Sequence, residues 1–141
     1  MAKSYFTISE LCNSSTAKQL HIDNTPSAKI KENLTKLIDF LNPLREAWGS
    51  PIKVTSGYRC PKLNRAVGGS TSSVHMKGWA ADLQPMNGNM KEFKKFVTEY
   101  LKDKRFDQCL RESSAFSEWI HIGLYNNYGL QRKQIKDLKI K

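Results

Sequence analysis

Two histidines and an aspartate, His75, Asp82 and His121, are the side chains of this sequence best suited to hold a metal ion. Catalytic zinc sites draw three protein ligands from His, Asp and Glu and leave a fourth position for water or substrate. The cysteines do not offer an alternative. Cys12, Cys60 and Cys109 are widely spaced, form no Cys-x-x-Cys pair and read as free thiols of a reducing compartment. Taken singly, each of the three candidate ligands fits an ordinary polar role better than a metal. Their interest depends on the elements that position them.

The element that carries Asp82 reads as a strand over 79–83, with Ala80 and Asp82 on one face and Trp79, Ala81 and Leu83 on the other. A later strand over 119–124 turns Trp119, His121 and Gly123 one way and Ile120, Ile122 and Leu124 toward the core. His121 therefore faces a surface or cleft beside a residue with no side chain, and small Ala80 leaves room beside Asp82. His75 closes a loop that runs through Gly68, Gly69 and several Ser and Thr residues after a short helix near Cys60. Upstream, Ile30, Leu34, Leu37, Ile38, Leu41 and Leu44 recur at helical spacing behind Ser27 as N-cap, with Pro43 as a kink or restart and Gly49-Ser50-Pro51 as the stop. A strand over 52–55, a helix over 90–101 and a strand over 106–110 complete the pattern. It predicts an α+β domain with a small antiparallel sheet and flanking helices.

At 141 residues the chain has the length of one domain, and 39% hydrophobic against 26% charged residues describes a globular protein. No run approaches the roughly 18 apolar residues needed to span a bilayer. The first residues, interrupted by Ser9, Glu10 and Asn13, carry no export signal, so synthesis in the cytoplasm is expected. A net charge of +10 calls for a polyanionic partner or for solubility alone. Part of the excess is local: Arg132, Lys133, Lys136, Lys139 and Lys141 stand against Asp137 in a tail over 131–141 that reads as a solvated end. Nucleic acid is disfavoured as the partner, because there is no recognisable motif and the aromatic residues do not alternate with the basic ones.

Four stretches in order carry a resemblance: Ser56-Gly57-Tyr58-Arg59; Leu63-Asn64 with Val67-Gly68-Gly69; Ser73 through Asp82 (SVHMKGWAAD); and Trp119-Ile120-His121-Ile122. Together they closely resemble the zinc D-Ala-D-Ala carboxypeptidase family, part of the wider group that includes lysostaphin-type peptidases and the hedgehog signalling domain. The resemblance spans roughly 7–124. It implies a hedgehog/D-Ala-D-Ala peptidase-like fold, one Zn2+ on His75, Asp82 and His121, and a peptide of bacterial cell-wall peptidoglycan as substrate, cut by a carboxypeptidase or an endopeptidase. Anionic cell-wall polymers would suit the basic charge. A compact basic chain without a separate wall-binding domain fits a phage or prophage lysis enzyme acting as a monomer.

The resemblance also implies a carboxylate base outside the ligand set. Glu118, three residues before His121, is the first choice, although on a straight strand that offset turns the two side chains to opposite faces and requires a turn or bulge. Glu112 is the alternate. Arg59, in the Ser-Gly-Tyr-Arg stretch, is implied to bind substrate and steady negative charge, for which a planar guanidinium is suited. Ser73 either bonds substrate or shapes its loop. Trp79 and Trp119 read as packing. A non-catalytic zinc-containing wall-binding module stands as the rival reading.

Overall fold

The structure is a computed structural model that describes residues 4–140. Met1 to Lys3, part of the segment read for an export signal, and Lys141 of the basic tail lie outside the described residues. Two short helices, α1 (Ile8–Cys12) and α2 (Ser15–Gln19), open the chain, capped by the hydroxyls of Thr7 and Ser14. The long helix α3 (Ala28–Trp48) begins where Ser27 Oγ accepts the Ile30 N–H and ends at Gly49, whose φ of 80° closes the last turn. Pro43 neither restarts nor breaks it: the helix runs through as one element.

β1 (Ile52–Ser56) leads through Gly57 to Arg59 and into α4 (Pro61–Ala66). A 3-10 turn over Val74–Lys77 delivers His75, and β2 (Ala80–Pro85) follows. Then come α5 (Met90–Tyr100), β3 (Gln108–Ser113), β4 (Glu118–Gly123) and β5 (Gln134–Lys139). The five strands form one sheet in the order β1-β2-β4-β3-β5. Neighbours are antiparallel except β5, which runs parallel to β3. The α+β architecture is the one the sequence predicts. The segment read as a solvated basic tail differs: Gln134–Lys139 pairs along the whole of β3 and forms an edge of the sheet.

One face of the sheet is covered. Leu34, Leu37, Leu41 and Leu44 of α3 and Phe93 and Val97 of α5 pack against Ala81, Leu83, Cys109, Ile120 and Ile122. At roughly 1.5–3 kcal/mol for each buried aliphatic or aromatic side chain, this layer is the main stabilising contribution. It also fixes the strand register, because a slip of one residue would turn Ile120 and Ile122 out of the core. The other face is free to carry polar side chains.

Candidate metal centre

On that free face, Asp82 of β2 and His121 of β4 are direct cross-strand partners. His121 Nδ1 lies 3.0 Å from Asp82 Oδ1, and His75 Nε2 approaches the same oxygen to 3.4 Å. The ligand atoms of all three residues lie within 4.8 Å of one another, and they form a group able to hold a metal ion. The two imidazole centroids are 5.1 Å apart.

His75 is oriented from behind. Its Nδ1 donates to the Gly57 carbonyl at 2.7 Å, which leaves Nε2 with the lone pair turned toward Asp82. A glycine is required at that point, because a Cβ on residue 57 would run into the Leu11 carbonyl oxygen of α1. Burial holds the His75 imidazole below its ordinary pKa, against the pull of Asp82. This favours the neutral imidazole, the form a metal requires. Burial acting alone would raise the Asp82 carboxyl, but the adjacent His75 and His121 outweigh it and hold the group well below the usual carboxylate range. Two imidazoles and a carboxylate that stays ionised make a donor set that fits zinc.

The two glutamates part company here. The β3–β4 register runs unbroken from Ser113↔Glu118 to Gln108↔Gly123, so the bulge that would have turned Glu118 toward His121 is absent. Glu118 shares the helix-covered side with Ile120 and Ile122, where it is half exposed and paired with Lys94 of α5 at 3.0 Å. Glu112 is on the cleft side, diagonal to His121, with Oε1 4.0 Å from His121 Nδ1. Its side chain is 13% exposed. Burial raises its pKa and the Asp82 charge adds to this, opposed by His121, the Trp119 indole N–H and Arg59.

Arg59 and Ser73 reach the same cleft, a cavity of about 760 Å3 that also touches His75, Asp82, Glu112 and His121. Ser73 shapes the loop: its Oγ accepts both the His75 N–H and an Arg59 Nη2 hydrogen, each at 3.2 Å. The Arg59 Nε is buried with no partner among the described residues, and burial lowers the guanidinium pKa against the pull of Asp82 and Glu112. A half-buried guanidinium facing two carboxylates across a cleft is suited to an anionic or carbonyl oxygen.

Trp119, read as packing, also lines the cleft as the cross-strand partner of Glu112, and its shared strand parity with His121 was the signal for that. Asn126, Asn127, Tyr128, Arg132 and Ile140 add a wall from the chain beyond β4, for which the sequence carries no comparable signal. Residues 4–123, 120 of the 141 in the chain, match a family model described as Peptidase M15. No curated protein matches the chain.

Proposed function

Since this chain belongs to the peptidase M15 family, and with it to the zinc-dependent metallopeptidases, we propose that it hydrolyses peptide bonds in bacterial peptidoglycan at a zinc centre formed by His75, Asp82 and His121. The observation that carries this reading is the convergence of three ligand side chains from two strands and a 3-10 turn with one further, partly buried carboxylate, Glu112, in a single cleft.

His75, Asp82 and His121 would hold the zinc, which when bound would supply Lewis-acid polarisation of the scissile carbonyl and a lowered pKa for the attacking water. In our reading Glu112 takes the proton from that water and returns it to the leaving amine. A carboxylate whose pKa is raised by burial and by the Asp82 charge is better matched to this exchange than a solvated one. Arg59 binds the substrate carboxylate or steadies the oxyanion, with Ser73 fixing its guanidinium. Glu118 has no role in the reaction. The +10 charge suits the anionic polymers of a cell wall, where we propose the reaction runs, as in a phage or prophage lysis enzyme.

Digestion of defined peptidoglycan with zinc-loaded protein, with the fragments identified by mass, tests this reading and distinguishes release of a terminal D-alanine from an internal cut. Activity should vanish with a chelator and return with zinc. Intact peptidoglycan after digestion by fully zinc-loaded protein would instead support a wall-binding module that does not cut.

A further inference from the structure

Behind the loop that walls the metal cleft lies a second hollow, of about 270 Å3. Its floor is aromatic: Trp79 and Tyr125 meet edge to face, with ring centroids 4.8 Å apart and planes at 65°. Both are half-buried against the core, so neither ring is free to swing away. Lys36 of α3 and Lys77 of the 3-10 turn stand exposed at the rim, with no ion pair among the described residues. Asn126 and Asn127 complete the wall, and both also line the metal cleft.

The loop is preformed. Asn126 N–H donates to the Leu130 carbonyl, Asn126 Oδ1 accepts the Tyr128 and Leu130 N–H groups, and Gly129 takes a φ of 76°. Asn127 Nδ2 donates to the Ser72 carbonyl and ties the loop to the rim of the cleft. These bonds leave Asn126 Nδ2 as a donor and Asn127 Oδ1 as an acceptor without partners among the described residues.

We propose that this hollow is a subsite for one N-acetylated amino-sugar ring of an anionic glycan, the sugar backbone of the polymer whose peptide enters the metal cleft. The identity of the polymer rests on the function proposed above. Two aromatic faces at 65° form a corner in which the C–H face of a pyranose lies on one ring while its edge meets the other. One amide donor and one amide acceptor match the C=O and N–H of an acetamido group. The two lysines suit the free carboxylates of those acidic sugars along the strand that carry no peptide. A volume of about 270 Å3 lies just below the roughly 300–1,000 Å3 of sites for drug-sized ligands and suits a single ring. Because Asn126 and Asn127 face both spaces, a glycan seated here has its attached peptide beside the metal centre.

Equilibrium binding of the zinc-loaded full chain to peptide-free peptidoglycan strands tests the assignment without any hydrolysis. Wild-type protein should bind, and Trp79→Leu and Lys36→Glu should each weaken binding by about three- to tenfold, the worth of one aromatic or charged contact. Lys36 sits on the exposed side of α3, so its variant keeps a readable fold even where Trp79→Leu does not. No binding by the wild type, or equal binding by wild type and Lys36→Glu, would overturn the subsite. So would single-stranded DNA bound with the same dependence on Trp79, which would make the hollow a base-stacking site. A protein that binds these strands but cuts no peptide keeps this subsite and loses the proposed function, and the reverse outcome does the opposite.

Discussion

Glu112 and Glu118 are the same residue type on two paired strands, and the pleat alone separates them. Glu112 stands on the side of Asp82 and His121, partly buried and raised in pKa, whereas Glu118 is bound to Lys94 on the other. Glu112→Gln should therefore retain one zinc per chain while turnover falls by roughly two to four orders of magnitude, the usual contribution of a positioned general base. Glu118→Gln should leave turnover within about threefold of wild type, since it loses only a half-exposed ion pair. Metal analysis with steady-state kinetics reads both, and a fall in turnover confined to the Glu118 variant would reverse the assignment. At Arg59, a lysine keeps the charge but loses the fork that binds Ser73 and leaves Nε free. Arg59→Lys should lower kcat/KM by roughly ten- to hundredfold, the worth of one charge-assisted hydrogen bond. Unchanged kcat/KM would remove Arg59 from substrate binding.

Among the elements, the turn out of β1 has the most control over the metal centre. Gly57 lets the chain pass against α1, Tyr58 N–H donates to the Leu11 carbonyl at 2.7 Å, and the Gly57 carbonyl holds the His75 ring. Gly57→Ala forces a Cβ against the Leu11 backbone, which no rotamer change relieves. A loss of about 1–3 kcal/mol in stability is expected, typical of overpacking, together with weaker zinc binding as the acceptor of His75 Nδ1–H is displaced. Thermal unfolding and metal competition measure the two effects. Wild-type zinc affinity in a destabilised variant would show that the carbonyl does not orient His75.

For the molecule as a whole, the chain beyond β4 is held by the β3–β5 ladder, by the Arg111–Asp137 pair and by a contact to the buried carboxylate of Asp107. Arg132 grips Asp107 with Nε at 2.7 Å and Nη2 at 2.8 Å, and the Asp107 side chain is 2% exposed. Burial opposes ionisation of Asp107, but the hydrogen bonds and charge of Arg132 prevail and lower its pKa from the ordinary 3.8. A carboxyl lowered in the folded state stabilises it above the unfolded pKa, and that contribution is lost as pH falls through the folded value. Asp107→Asn should cost about 1–3 kcal/mol near neutral pH. Its melting temperature should fall less steeply than that of wild type on acidification below about pH 4. Parallel acid profiles for the two proteins would show that the pair contributes nothing to acid stability.

Much of the cleft is legible in the sequence, because period-two alternation assigns Asp82 and His121 to polar faces as firmly as it assigns Leu83, Ile120 and Ile122 to the core. The α3 stripe and its Ser27 cap are local patterns and were equally legible. What the sequence alone left open was pairing across the sheet. It could not place the glutamates, since that depends on whether the hairpin contains a bulge, and the unbroken β3–β4 register puts Glu112 rather than Glu118 on the side of His121. Nor could it identify β5. Gln134–Lys139 has a lysine-rich local composition that reads as a solvated end, and it becomes a strand because the edge of β3 offers unpaired backbone groups and Asp107 offers a buried carboxylate to Arg132. Local patterning determined which residues face the cleft, and only the long-range pairing of strands decided which of them meet there.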